Sequence, residues 1–131
     1  MFLTDTHPLV WYSTNKHSQL SRKVLSAFQK ADESETVIYI SAVTFWEIAL
    51  LNNLGKIKLN ETFNHWAKAL LEKNGFEIVP LEPPIISQSV GFNFNDDSFD
   101  KVIVASAIEL DVALITRDWA ITESNLVEIY W

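Results

Sequence analysis

Asp5, Glu47, Asp100 and Asp118 lie far apart in the chain, yet each falls where a parallel α/β fold would bring it to one edge of a sheet. Glu47 interrupts a helical face whose neighbours at i−4, i+3 and i+4 are Val43, Leu50 and Leu51. Asp100 is followed by Ile103, Val104 and Ala107 at i+3, i+4 and i+7. A carboxylate among apolar neighbours is costly unless a cation or another partner compensates it. Hard oxygen ligands suit Mg²⁺ or Mn²⁺. Such ions activate water and stabilise in-line attack on phosphorus, so the four acids predict a divalent-metal site.

Each acid also has a simpler reading. Asp5, before Thr6, can help start a helix. Asp118 can pair with Arg117 or cap the turn that follows it. Glu47 and Asp100 can be satisfied by a local lysine such as Lys101. What favours a shared site is that all four are expected on one edge, where an acidic cluster without a cation raises its own pKa values.

The elements that must position these acids alternate between strand and helix. Phe2–Asp5 reads as a first strand, with Thr6 capping the next helix and Pro8 in its first turn. Ser18 or Ser21 opens a second helical stretch, with Leu20, Val24, Phe28 and Ala31 on one face. Val37–Ile40 is a continuous β-rich run, as in a strand covered on both faces. Ser41 then caps a helix that runs to about Asn52 or Asn53 and stops at Leu54-Gly55-Lys56. Asn60 or Thr62 starts a helix carrying Phe63, Trp66, Ala67, Leu70 and Leu71 at amphipathic spacing.

Phe76–Leu81 is the third expected strand, and Pro83-Pro84 opens a short helix to about Val90. A polar and aromatic loop, 91–97, leads to an apolar helix over Ser98–Leu110. Ala113–Thr116, Trp119–Ser124 and Val127–Tyr130 follow as strand, short helix and strand. This alternation predicts a parallel sheet with helices on both faces.

Composition bounds the function. The 131 residues are 48% hydrophobic with three glycines and four prolines, which suits one compact domain. Without cysteine there is no disulfide and no thiolate metal site, in keeping with a reducing compartment. No stretch approaches the ~20 apolar residues of a membrane span, and the N-terminus has no signal-peptide pattern, so a cytoplasmic protein is expected. Ten Lys and Arg against 17 Asp and Glu give a net charge of −7, which argues against a large basic nucleic-acid footprint. Setting the four acids aside leaves 13 acids against ten bases, or −3, because bound divalent ions would reverse the local field.

Several segments together resemble a PIN domain, most closely the VapC-type toxin ribonucleases of bacterial toxin–antitoxin pairs. They are Phe2-Leu3-Thr4-Asp5-Thr6-His7, the run Ile40 to Ala49 with its Ser41…Trp46-Glu47-Ile48, and Leu54-Gly55-Lys56-Ile57. Phe76 to Leu81, Asp97-Ser98-Phe99-Asp100-Lys101 with Val104-Ala105-Ser106-Ala107, Leu114-Ile115-Thr116-Arg117-Asp118 and Ile129-Tyr130-Trp131 complete the pattern. The resemblance implies a single three-layer α/β/α domain over residues 1–131 with a five-stranded parallel sheet of order 3-2-1-4-5. It implies Mg²⁺- or Mn²⁺-dependent endoribonuclease activity, an RNA substrate, a cognate antitoxin that blocks the site, and a homodimer that can join a higher assembly.

By the same resemblance, Asp5, Glu47, Asp100 and Asp118 are the metal ligands and catalytic acids. Asp97 is a supporting acid, and Thr6 and Thr116 are hydroxyls that orient carboxylates or water. Ser98 and Lys101 depart from the proline and arginine frequent in the family. Ser98 can still cap a helix, and Lys101 keeps the charge without the planar fork.

Other residues carry less. His7, His17 and His65 are too scattered for a zinc motif, although His7 lies near Asp5. Trp66 belongs to a helical stripe and reads as packing, whereas Trp119, just after Asp118, is a candidate for stacking on an RNA base. Arg22-Lys23 with Lys16 and Lys30 reads as a solvated helix face. A PIN-like binding module with little or no nuclease activity is the main alternative. A phosphate-accepting signalling domain is disfavoured, since no lysine follows the last strand.

Overall fold

The computed structural model describes residues 1–131. Five strands form one parallel sheet of order β3-β2-β1-β4-β5: β1 Phe2–Thr4, β2 Ile38–Ser41, β3 Phe76–Val79, β4 Ala113–Ile115 and β5 Ile129–Tyr130. The helices are α1 Thr6–Ser13, α2 Arg22–Asp32, α3 Ala42–Asn53, α4 Phe63–Leu71, α5 Pro83–Ser89, α6 Ser98–Leu110 and α7 Trp119–Ser124. A single 3-10 turn, His17–Gln19, which the sequence reading did not anticipate, joins α1 to α2.

Alternation along the strands produces the three layers. Ile38, Ile40, Phe76 and Ile115 face a core shared with Leu9 of α1, Val24 and Phe28 of α2, and Trp66 and Leu70 of α4. Leu3, Leu114 and Val79 face the opposite core, with Ile103 and Val104 of α6, Ile85 of α5 and Ile121 of α7. Adjacent residues thus serve opposite layers, as the period of two requires. Gly75, at the entry to β3, is required by close approach: a Cβ there would lie 1.8 Å from the Ala31 carbonyl oxygen.

Two helix starts differ from expectation in the same way. Thr6 is not the cap of α1 but its first residue, and the cap is Asp5. Likewise Ser98 is the first residue of α6, and Asp97 caps it. In both cases the acid one position earlier has extended backbone, and its carboxylate accepts the free N–H groups of the first turn. A carboxylate there also meets the positive end of the helix dipole. Ser21, Ser41 and Thr62 cap α2, α3 and α4 with their hydroxyls.

Candidate acidic site at the strand ends

All five strands run parallel, so their carboxyl ends meet at one edge. Thr4 sits opposite Ile40 on one side and Ile115 on the other. Asp5 and Thr116 therefore leave the sheet together beside Ser41, the last residue of β2, and the Asp5 N–H still donates to the Ile115 carbonyl at 2.9 Å.

Asp5 is the most enclosed of the acids, only 7% exposed. One carboxylate oxygen accepts the Thr6 N–H at 2.7 Å, and the other accepts the Thr116 hydroxyl at 2.7 Å. The Thr116 oxygen in turn accepts the Asp118 N–H at 3.1 Å, so one buried threonine ties Asp5 to the start of α7. The Asp118 carboxylate caps that helix by accepting the Ile121 N–H at 2.9 Å.

The remaining acids come from two helices. Glu47, in the second turn of α3, accepts the Thr6 hydroxyl at 2.5 Å. Asp100, in the first turn of α6, accepts the Asn95 side-chain amide at 2.9 Å. Asp97 accepts the Phe99 and Asp100 N–H groups at 2.9 and 3.2 Å. The simple readings are thus realised for Asp5 and Asp118, which both cap helices. Those for Glu47 and Asp100 are not: each is held by a neutral side chain and neither by a lysine.

The acids share one electrostatic field. Burial pushes the Asp5 carboxyl above its ordinary range, against the stabilising hydrogen bonds of Thr116 and Thr6, and Asp118 pushes it further. Burial also raises Glu47; the Thr6 hydrogen bond opposes the shift, while Asp97 and Asp5 add to it. Asp100 is raised to about 7 by burial, then by Asp5 and Asp97, with Asn95 opposing and Asp118 adding. His7 favours the charged forms of Asp5 and Glu47. The chain's two ion pairs, His65–Glu61 and Lys73–Asp32, involve none of these acids.

A cleft of about 320 Å³ opens beside Asp5 and Asp118, walled by His7, Trp11, Arg117 and Trp119. Arg117 does not pair with Asp118. Its guanidinium lies 4.4 Å from the Trp11 ring and 5.7 Å from the Trp131 ring, and it donates to the Gln19 side chain at 3.4 Å.

No three of the chain's Asp, Glu and His side chains converge tightly enough to form a complete protein-only metal shell. The donor set nonetheless fits a hard cation that keeps most of its waters and takes only one or two carboxylates directly. Each Asp5 oxygen has spent one of its two acceptor directions, which leaves one on each for a cation or its water. Uncompensated carboxylates with raised pKa values are the electrostatic condition that a divalent cation relieves.

The sequence reading missed Asn95, the amide that holds Asp100. Its signal was faint: an Asn five residues before an acid, inside a loop whose path only the fold supplies. It also missed the stacking of Arg117 between two indoles, because Trp11 and Trp131 are 120 positions apart in the numbering.

The profile of the PIN domain family matches residues 2–124. Ribonuclease VapC22 of Mycobacterium tuberculosis is 29% identical over 118 residues, covering 88% of this chain and 85% of that protein. The solved structure of VapBC2 from Rickettsia felis, bound to a DNA fragment from its promoter, aligns with a TM-score of 0.71 at 16% identity, covering 99% of this chain and 98% of the other. A chain of a toxin–antitoxin complex from Klebsiella pneumoniae aligns with a TM-score of 0.64 at 18% identity, covering 100% and 97%. With the profile spanning nearly the whole chain and the sheet order and strand-end acids in place, this chain belongs to the PIN domain family.

Proposed function

We propose that this protein is a metal-dependent endoribonuclease that acts as the toxin of a toxin–antitoxin pair. One observation carries the reading: five carboxylates at the strand-end edge, from Asp5, Glu47, Asp97, Asp100 and Asp118, include three with raised pKa values and none with an ion-pair partner. The similarity to a ribonuclease and to chains solved within toxin–antitoxin complexes supports it.

Asp5, Glu47, Asp100 and Asp118 would hold Mg²⁺ or Mn²⁺, one or two of them directly and the others through the ion's waters, with Asp97 contributing negative charge beside them. The bound ion would supply an activated water and neutralise charge building on an RNA phosphodiester. The chain's own residues prepare that place. Thr116 fixes the Asp5 carboxylate and the Asp118 backbone at once. Thr6 orients Glu47, and Asn95 orients Asp100. Burial and the neighbouring acids raise the Asp100 pKa to about 7, so this carboxyl would lose its proton on binding a cation.

An antitoxin that covers this edge would silence the protein, and pairing with a second copy fits the apolar surface it exposes. Trp46 is 57% exposed and packs edge-on against Phe99 beside a groove of about 400 Å³ lined by Leu81, Ile86 and Val90. No helix is long and apolar enough to cross a membrane, and we place the protein's action in the cytoplasm.

The test is direct. Protein freed of antitoxin should cleave RNA with Mg²⁺ or Mn²⁺ and stop when a chelator is added. Full cleavage by both Asp5→Asn and Asp100→Asn would sink the assignment. Metal binding without any RNA cleavage would favour a PIN-like binding module instead.

A further inference from the structure

A second cleft, of about 450 Å³, lies between loop 91–94 and α7. Its aromatic surfaces come from Phe92, Phe94 and Trp119, and its polar rim includes Asn93 and Glu123. Trp119 is 76% exposed, yet the indole is large and apolar and packs into neither core cluster. It also walls the smaller cleft that holds Asp5 and Asp118. The two clefts therefore meet at one indole, with Asp118 immediately before it in the chain.

We propose that the aromatic cleft receives an unpaired nucleobase of the RNA strand, from a nucleotide flanking the phosphate that reacts at the acidic edge. The inference rests on the nuclease reading for the identity of that phosphate. Three features favour a base over other occupants. Phe92 and Phe94, half-buried against the core with ring centroids 6.1 Å apart, wall the cleft with aromatic carbon, and the exposed Trp119 indole offers a face of the kind that holds single-stranded bases in place. The Asn93 side chain makes no hydrogen bond within the protein, so its amide is free to read the polar edge of a base. The Glu123 carboxylate repels phosphate and accepts from exocyclic amino groups, which admits the base and keeps the backbone outside. Backbone charge is met instead by Arg117 on the far side of Trp119, in the cleft that also holds Asp118.

A base can enter such a cleft only when it is unstacked and unpaired, so the site selects loops and single strands over duplex. The more apolar groove beside Trp46 and Phe99 lacks an acid on its walls and suits a protein surface better.

The experiment compares wild type, Trp119→Ala and Trp119→Phe in binding a short fluorescein-labelled single-stranded RNA. The same RNA carrying one abasic residue, stepped along its length, and a duplex of equal length serve as second and third probes. Trp119→Ala should weaken single-strand binding by about tenfold, the scale of one lost base stack, and Trp119→Phe should recover most of it. At one abasic position, wild type and Trp119→Ala should bind equally, and duplex binding should not respond to Trp119.

Unchanged single-strand binding by Trp119→Ala overturns the proposal, as does a defect that persists on every abasic probe. So does a Trp119→Ala change in self-association or antitoxin binding with RNA binding intact, which would assign the cleft to a protein partner. RNA held through Trp119 but left uncleaved with Mg²⁺ and Mn²⁺ supports the base site and overturns the nuclease reading. Metal-dependent cleavage with no role for Trp119 does the reverse.

Discussion

The two edges of this sheet treat carboxylates in opposite ways. At the edge where strands begin, Asp32 at the end of α2 is met by Lys73 at 2.6 Å and by the Tyr12 hydroxyl. Tyr12 is stacked between His17 and Phe28, so the acid is held by one cation and one fixed donor. At the edge where strands end, three acids gain helix N–H groups and three, Asp5 among both, gain a neutral side chain, but none gains a cation. The same fold thus neutralises a carboxylate where it serves structure and leaves a group of them unneutralised where the family's chemistry is expected. Partial compensation keeps the acids in place without satisfying them.

The largest effect should come from removing an acid at the strand-end edge while sparing its structural duty. Asn caps a helix about as well as Asp, so Asp5→Asn should keep α1 capped and fold normally. Its RNA cleavage should fall by more than the roughly 10–100-fold that loss of an orienting partner costs at a metal site. Thr116→Val, which removes the hydroxyl shared by Asp5 and Asp118, should fall within that 10–100-fold range. Initial rates of RNA cleavage at saturating Mn²⁺ check both, with thermal unfolding as the control for folding. Equal rates for Thr116→Val and wild type would mean that the threonine is merely structural.

A pH series sharpens the same contrast. In the folded protein the Asp100 carboxyl is raised to about 7 from an ordinary 3.8. The native state therefore holds a proton across that window that the unfolded state has released. Stability from this group is fully present below about pH 4 and is lost as pH rises through 7. Metal-free protein should show Tm falling over this range, and Asp100→Asn should flatten the fall. Mg²⁺ or Mn²⁺ should raise Tm more at pH 8 than at pH 5, because the ion competes with the proton for the same carboxylates. A metal-induced rise in Tm that is the same at both pH values would contradict the assignment.

Much of this arrangement was legible in the sequence because short β-rich runs, caps and helical spacing are local signals. The four acids were located by what surrounds them: apolar helical neighbours for Glu47 and Asp100, strand ends for Asp5 and Asp118. Four of the five strands are shorter than the sequence suggests and β2 is shifted by one residue, since a strand lasts only as long as its neighbour pairs with it. β3 stops at Val79, opposite Ser41 at the end of β2, and β5 is limited to Ile129 and Tyr130 by a three-residue β4. The side chains that hold the acids were less legible. Asn95 reaches Asp100 through a loop path, and Thr116 bridges 111 positions to Asp5, distances that no periodicity encodes. Asp97 carried two roles, helix cap and nearby charge, and only the second was expected.

The smallest effects should arise at the opposite edge, and there they test whether compensation is the real difference. Tyr12→Phe removes the hydroxyl that donates to the Asp32 carboxylate and should cost about 1.5–3 kcal/mol, the net worth of a hydrogen bond to a charged group. Lys73→Met should cost less, about 0.2–1 kcal/mol, because the pair is partly exposed and the methionine keeps most of the packing. Neither change should alter metal-dependent cleavage, since both residues feed strand starts and neither lines the acidic cleft. If neutralisation is what separates the edges, Lys73→Met leaves Asp32 with a neutral partner only, like Asp100 with Asn95. Urea unfolding of the variant should then show a stability loss that shrinks as added salt screens the pair in the wild type. A loss independent of salt would mean that Lys73 acts through packing, and the contrast between the edges would then rest on packing instead of charge.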